Sequence, residues 1–216
     1  EIDFDKLKTI TRDAVHFLDN VIDMNSYPLK EIEQKTKANR KIGLGIMGYA
    51  DMLIKLGIPY DSREGVETAE QVMSAIQSES KRKSEELADI RGAFPNFSHS
   101  EYAERGDKPL RNATTTTIAP TGTISILADS SSGIEPLFAL AYVRNVMDNN
   151  RLIESNPAFE EAVKSLGDKI DFTSVMERIA DEGSARSVDE LPEGIKNIFV
   201  TAHDISPEWH IKTQAA

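Results

Sequence analysis

The segment most informative about the fold is residues 111–125, RNATTTTIAPTGTIS. Residues 114–118 are β-branched throughout and predict a strand. This strand runs into Pro-Thr-Gly-Thr, after which helix-compatible residues follow from Ile124 onward. Such a strand, turn and helix aims successive free N–H groups and two threonine hydroxyls at one point, which suits a phosphate. A threonine-rich strand that ends in an ordinary capped turn explains the same residues equally well.

Most of the remaining chain has helical patterns. Apolar residues at three- and four-residue spacing predict an amphipathic helix over about 4–23. A long helix is predicted from the capping residue Asp61 to Arg91, where a glycine follows. Residues 137–143 are apolar and short enough to form a second buried strand. Further helices are predicted over about 29–37, 47–56, 157–166 and 173–182.

Composition excludes several classes of function. The 216 residues carry a net charge of −11, which repels nucleic-acid backbones, so we expect no nucleic-acid polymer as a partner. No apolar run approaches the roughly 20 residues of a membrane helix, so no membrane partner is expected. The chain contains no cysteine, which excludes disulfides, zinc-thiolate sites and thiol catalysis within it. The same absence fits a reducing compartment, and we expect a cytoplasmic protein.

Residues 43–48, GLGIMG, match the dinucleotide fingerprint GxGxxG. The fingerprint requires a buried strand directly before it and a helix directly after it. The helix is plausible, but the preceding residues 35–41 are basic and polar. A nicotinamide-binding enzyme is therefore a minor alternative, and glycines that allow close backbone packing are the preferred interpretation.

Patterns typical of metal sites and hydrolases are missing from the sequence. The four histidines do not lie at i, i+4 spacing, and no HExxH motif occurs, so no metal ligand is assigned. No GxSxG elbow and no Walker lysine occur either. We assign no catalytic residue within the chain.

Several segments together resemble the large-subunit barrel of ribonucleotide reductases, most closely the adenosylcobalamin-dependent class II. The resemblance extends over the whole chain in the same order. The segments that carry it are residues 40–51 (RKIGLGIMGYAD), 111–114 and 119–125 (RNAT and APTGTIS), 132–136 (SGIEP) and 200–210 (VTAHDISPEWH).

The resemblance implies an α/β fold class. The family barrel has ten strands in two half-barrels, with a finger loop through its centre. Residues 1–216 resemble the C-terminal part of this catalytic barrel, as a fragment and a single domain. We therefore expect a mainly helical fragment of the ten-stranded α/β barrel, the second half-barrel, with a few parallel strands.

The resemblance also implies the chemistry of the parent enzyme. It converts ribonucleotides to deoxyribonucleotides through a thiyl radical, while a cysteine pair supplies electrons. In the family, the finger-loop cysteine, the redox cysteine pair and the C-terminal cysteine pair all fall outside the aligned segment, so this chain should be inactive alone. Adenosylcobalamin is expected in the parent enzyme but not on this fragment by itself.

The resemblance assigns one site to this chain, the loop that binds the substrate phosphates. Ser125 is adjacent to this loop and could assist in phosphate binding. Residues 133–136 should lie on the wall of the same half of the barrel. For Glu135 we expect a buried, hydrogen-bonded carboxylate of unassigned role. The phosphate-binding residues carried over are Pro120, Thr121, Gly122, Thr123 and Ile124.

The expected partners are the ribonucleotide substrate, the remainder of the reductase chain and a second copy in a homodimer. An exposed apolar face is expected where the remainder packs. Two alternatives stay open at this point. One is the large subunit of an iron-dependent class I reductase, and the other is a non-catalytic helical interaction module. Whether the substrate is a diphosphate or a triphosphate is also open.

Overall fold

The computed structural model describes residues 1–146, 150–167 and 170–216, and within them the chain is mainly helical. None of the helices in these ranges is both long and apolar enough to cross a membrane. The helices are α1 (Phe4–Met24), α2 (Lys30–Asn39), α3 (Tyr49–Leu56), α4 (Arg63–Arg91), α5 (Glu101–Glu104), α6 (Gly122–Leu127), α7 (Pro157–Lys164), α8 (Phe172–Glu182), α9 (Glu193–Ile198) and α10 (Pro207–Ala215). The strands are β1 (Ala141–Val146) and β2 (Asn150–Ser155), and short 3₁₀ turns lie at Phe97–His99 and Ala185–Ser187.

The chain divides into two compact units, which are described separately below. The first unit comprises Glu1–Gly45 and Glu70–Ala119. The second unit comprises Ile46–Ala69 and Pro120–Ala216.

Helix α1 in the first unit confirms the amphipathic helix predicted over 4–23. The Asp3 side chain caps it by accepting from the Lys6 N–H at 2.9 Å. One face is buried and the opposite face exposes large apolar side chains. The buried face consists of Thr11, Val15, Asp19 and Ile22. The exposed residues, called here the outer stripe of α1, are Ile10, Phe17, Val21 and Met24.

The core of the first unit combines a small apolar cluster with a buried charge cluster. Val15, Ile22, Ile42 and Leu87 form the apolar part. Asp19, which is fully buried, is the centre of the charge cluster. A charged group can remain in such surroundings only when it is paired and hydrogen-bonded.

Three arginines and an asparagine satisfy the Asp19 carboxylate. Arg40 donates to Oδ1 from Nε at 2.9 Å and from Nη2 at 2.8 Å, and Asn112 donates to the same oxygen at 3.0 Å. Arg91 and Arg111 donate to Oδ2 at 3.2 and 3.3 Å. Asp19 thereby links α1, the end of α2, the end of α4 and the segment before residue 114.

The second unit has a larger apolar core, which includes α3, α7, α8 and the segments after α9. Two pairs of aromatic rings pack edge to face within it, and the ring centroids are 5.5 Å apart for Tyr49–Tyr60 and 5.2 Å apart for Phe159–Phe199. Helix α7 confirms the helix predicted from residue 157, and Asn156 caps it. The Asn156 side chain accepts from the N–H groups of Ala158 and Phe159 at 3.0 and 3.1 Å.

The barrel fold class expected from the resemblance is wrong for this chain. The regular strands of the described residues are β1 and β2, which pair antiparallel with Ala141 opposite Ser155. No parallel ladder and no barrel occur in the described ranges; parallel pairing there is limited to the isolated bridges Leu44–Thr116 and Leu137–Thr201. The predicted strand over 137–143 is thus replaced by one bridge at Leu137 and a strand that begins at Ala141.

The predicted strand over 114–118 is extended and paired, but the pairing is too short to count as a strand. Leu44 donates to the Thr115 carbonyl at 2.8 Å, and Thr117 donates to the Leu44 carbonyl at 3.1 Å. At its start the Thr114 hydroxyl donates to the Ile42 carbonyl at 3.0 Å. A threonine hydroxyl that binds a backbone carbonyl competes with the regular ladder. The β-branched residues that indicated a strand therefore also limit it.

Two buried tyrosines of the second unit should ionise late. The Tyr49 hydroxyl donates to the Gly65 carbonyl and the Tyr60 hydroxyl donates to the Ile134 carbonyl, both at 2.8 Å. Burial raises the pKa of Tyr49 and raises the pKa of Tyr60 to about 12. In the unfolded chain tyrosine ionises near pH ~10. Their contribution to stability is therefore complete below about pH 10 and is lost as the pH rises towards 12.

An absorbance titration of tyrosinate tests this expectation. Tyr49 and Tyr60 should ionise only together with the loss of helical circular dichroism. In Tyr60→Phe the late phase should shrink by one tyrosine. A titration in which all five ionise near pH ~10 while the helices persist would contradict the assignment.

Candidate functional site: an exposed loop with free N–H groups

The candidate site is the segment 120–125, which lies entirely in the second unit. Helix α6 begins at Gly122, two residues before Ile124, from which helix-compatible residues were identified in the sequence. Thr121 precedes the helix in the left-handed conformation, with φ 51° and ψ 18°. This conformation is rare for a β-branched residue. The left-handed residue is thus Thr121, and the glycine after it is already helical.

Three backbone N–H groups at this point have no acceptor within the described part of the chain. They belong to Gly122, Thr123 and Ile124, the first residues of α6. The first N–H groups of any helix lack an intrahelical partner. A left-handed residue next to a helical turn directs such groups to one side and forms an anion-binding concavity.

The approach to these groups is open. Pro120, Gly122 and Thr123 are exposed, and Ile124 is 54% exposed. A Cβ atom placed on Gly122 would meet no heavy atom within 4 Å. An anion can therefore reach the backbone at Gly122 without displacing a side chain.

Two hydroxyls of the loop form hydrogen bonds within the protein, and one is available to a ligand. Ser125 is buried and its hydroxyl donates to the Gly122 carbonyl at 3.0 Å. The Thr121 hydroxyl accepts from the Gly133 N–H at 2.7 Å and lies 3.3 Å from the Ser132 hydroxyl. The Thr123 hydroxyl has no partner among the described residues. Of the two threonine hydroxyls expected at the ligand, only that of Thr123 is therefore available.

Residues 130–133, which follow the loop in the sequence, hydrogen-bond to it and to the segment that contains Asp51. The Ser130 N–H donates to the Ser125 carbonyl at 3.0 Å. The Ser131 N–H donates to Asp51 Oδ2 at 2.5 Å, and its carbonyl accepts from the Gly48 N–H at 2.8 Å. The structure thus brings Gly133 next to the predicted loop. The supporting roles of Ser132 and Asp51 were missed, because no local pattern connects residues so far apart in sequence.

Glu135 differs from its expected state. Its side chain is 65% exposed, and its carboxylate lies 4.0 Å from Nδ1 of His210. The expectation of a buried, hydrogen-bonded carboxylate is therefore wrong. The turn that holds Gly133 next to Thr121 leaves Glu135 outside the core.

The glycine-rich segment 43–48 does not have the surroundings of a dinucleotide site. Residues 30–39, which precede it, form the helix α2 and not a buried strand. Within the first unit a Cβ atom on Gly43 would lie 2.7 Å from Thr117 Cγ2, and one on Gly45 would lie 2.9 Å from the Thr117 carbonyl oxygen. These glycines permit close packing of the backbone, as the preferred interpretation stated.

Comparison with known proteins identifies the family. The family model described as the ribonucleotide reductase barrel domain matches residues 1–108 and 104–216. The chain is 52% identical to a vitamin B12-dependent ribonucleoside-diphosphate reductase of Thermoplasma acidophilum, over 100% of the chain and 28% of that protein. It is 44% identical to a reductase of the same description from Mycobacterium tuberculosis, over 100% of the chain and 30% of that protein.

A solved structure supports the same assignment at the level of the fold. The class Id ribonucleotide reductase alpha subunit of Actinobacillus ureae superposes with a TM-score of 0.73 at 22% identity, over 95% of this chain and 38% of that one. The chain thus spans less than a third of the length of the two B12-dependent relatives. The family match extends over all of its residues, and the chain belongs to the ribonucleotide reductase family, in the part described as the barrel domain.

Proposed function

We propose that the chain is the C-terminal part of the catalytic barrel of a reductase that converts ribonucleoside diphosphates to deoxyribonucleoside diphosphates. We propose further that its own contribution is to bind the substrate phosphates through residues 120–124. The observation that carries the proposal is the exposed set of three unpartnered N–H groups at Gly122, Thr123 and Ile124. The names of the B12-dependent relatives support a diphosphate over a triphosphate.

The binding arises mainly from hydrogen bonds. A phosphate oxygen that accepts from a backbone N–H forms a charge-assisted bond, worth about 1.5–3 kcal/mol. Helix α6 has only six residues, so its dipole adds little beyond these groups. The Thr123 hydroxyl offers a further donor. Pro120 has no N–H, and its ring fixes the backbone that leads into Thr121.

The negative charge of the chain opposes this binding only weakly. The net charge is −11, but salt screens charges that lie farther than about 8–10 Å from the phosphate. The free N–H groups act at contact distance. Backbone groups can therefore bind an anion on an acidic protein.

The loop contributes to the reaction by orientation. A substrate held by its phosphates presents the ribose to the reacting groups in a fixed geometry. This lowers the entropic part of the activation free energy of the reductase reaction. The chain itself contains no cysteine, so the radical and reducing thiols belong to other parts of the protein. Residues 120–124 therefore bind and orient, and they take no part in bond breaking.

We propose adenosylcobalamin as the cofactor of the whole protein, on the support of the 52% identical B12-dependent relative. When bound, it supplies the radical chemistry of this class. The cleft lined by Asp51, Lys55 and Ser130 encloses about 360 Å³, which suits a small ligand and not a corrinoid.

The proposed partners follow from the same assignment. They are the ribonucleotide substrate, the remainder of the reductase chain and a second copy in a homodimer, in the cytoplasm. The outer stripe of α1 supports a protein partner, because its four large apolar side chains are 43–84% exposed.

Substitution of Gly122 tests the proposed function. In the full-length protein, Gly122→Val should weaken the binding of cytidine diphosphate by about tenfold or more, because the side chain fills the open approach to the N–H groups. The fold should survive, since no atom lies within 4 Å of the new Cβ atom. Isothermal calorimetry measures the affinity, and turnover should fall in parallel at subsaturating substrate.

Gly194→Val is the matched control. Gly194 also lies in the first turn of a six-residue helix, α9, and a Cβ atom there meets nothing within 4 Å. This variant should bind cytidine diphosphate as the unchanged protein does. If Gly122→Val is folded and binds with unchanged affinity, residues 120–124 are not the phosphate site.

A further inference from the structure

We propose that Thr121 and Ser132 are positioning residues whose hydroxyls hold the phosphate loop in its binding shape, and that neither hydroxyl is a phosphate ligand. This inference rests on the proposed function, because it concerns how the same loop acquires its geometry. The inference goes beyond the proposed function because it separates the residues that bind the anion from the residues that position the binding groups.

The hydrogen bonds around Thr121 run in one direction, from the Gly133 N–H through the two hydroxyls to the Pro120 carbonyl. The Gly133 N–H donates to Thr121 Oγ1 at 2.7 Å. The Ser132 hydroxyl donates its only proton to the Pro120 carbonyl at 2.7 Å. At the 3.3 Å contact between the two hydroxyls, Thr121 must therefore be the donor and Ser132 the acceptor. Both protons are used inside the protein, and neither remains for a phosphate oxygen.

The hydrogen bonds that the Thr121 and Ser132 hydroxyls make with each other, with Gly133 and with Pro120 are called here the brace. The backbone at Thr121 explains why this brace is needed. A threonine with φ 51° is in a strained conformation, which persists only when the surrounding structure holds it. Pro120 on one side and Gly133 on the other are the groups to which the brace connects. The brace thus spans the strained residue and compensates for its conformational cost.

The strained conformation is also what makes the loop useful. The left-handed turn at Thr121 starts α6 at Gly122 and leaves three successive N–H groups open. If Thr121 relaxes to an extended conformation, these groups no longer converge on one point. Loss of the brace should therefore weaken phosphate binding without removing any atom that touches the ligand.

A double-mutant cycle in the full-length protein tests the inference, with cytidine diphosphate as the probe. Thr121→Val and Ser132→Ala should each weaken binding by about five- to tenfold, the effect of losing a hydrogen bond of about 1 kcal/mol or slightly more. The double variant should be no weaker than the worse single variant, because residues of one network are not additive. Thr121→Ser keeps the hydroxyl and should restore affinity to within about twofold.

Ser187→Ala is the matched control, because it removes an exposed hydroxyl outside the loop that donates to the Ser184 carbonyl at 2.8 Å. This variant should leave the affinity unchanged. Urea midpoints of all variants should stay close together, because the effect is local to the loop. Rescue by Thr121→Ser separates positioning from a general loss of structure.

The outcomes distinguish the inference from the function on which it rests. If Thr121→Val weakens binding but Ser132→Ala does not, Thr121 contacts the phosphate directly and the brace is wrong. If neither variant has an effect while Gly122→Val does, the phosphate site stands and the positioning role is refuted. If Gly122→Val also binds normally, the proposed function fails and the inference fails with it.

Discussion

Replacement of Asp19 by alanine should lower the free energy of unfolding by about 3–5 kcal/mol, the usual cost of breaking a buried ion pair from one side. Asp19 is fully buried and accepts from three arginines and Asn112. Without its carboxylate, the Arg40 guanidinium, whose side chain is only 5% exposed, keeps Asp23 as its acidic partner. Arg91 and Arg111 lose a buried acceptor at the same time.

Urea unfolding followed by circular dichroism measures this effect. The midpoint should fall while the dependence on urea concentration stays unchanged, which indicates a change of stability alone. Asp13→Ala is the control on the same helix, since Asp13 is exposed and should change stability by less than about 0.5 kcal/mol. A loss below about 1 kcal/mol in Asp19→Ala would show that the charge cluster does not hold the first unit together.

The second prediction is a total absence of activity. The isolated chain of 216 residues should show no reductase turnover. The chemistry of the family needs one cysteine for the thiyl radical and two for the electrons. The chain contains none. The orientation proposed for residues 120–124 cannot substitute for these reacting groups.

The assay combines the isolated chain with a ribonucleoside diphosphate, adenosylcobalamin and a dithiol reductant. Deoxynucleotide should stay at background, while the full-length protein assayed beside it turns over. A preparation of the Gly122→Val chain controls for host reductase, because activity from a contaminant would be equal in both preparations. Product above background that disappears in Gly122→Val would refute the prediction.

The helices were predictable because their signals are local. The apolar spacing in α1 and the cap at Asn156 each depend on residues within one or two turns. The charge cluster was not predictable in this way. Asp19 lies within an otherwise apolar pattern, and its partners Arg91 and Arg111 are 72 and 92 residues away.

The strands and the loop show where local reasoning stops. Residues 114–118 have high β propensity, but propensity carries no information about the Thr114 hydroxyl that occupies the Ile42 carbonyl. The proposal that residues 120–124 bind phosphate came from their motif. The motif did not indicate a strained residue, whereas the structure has Thr121 in the left-handed conformation, with its hydroxyl bonded to Gly133, 12 residues later.

The outer stripe of α1 also has a consequence for oxidative damage. Met24 at its end is 84% exposed, so its thioether is open to peroxide. Oxidation to the sulfoxide converts a flexible apolar side chain into a polar one. Beside Val21 and Phe17, this change would place a strong hydrogen-bond acceptor on the surface that a protein partner would cover. Peroxide exposure would thus change the chemistry of the stripe that we propose as a protein contact.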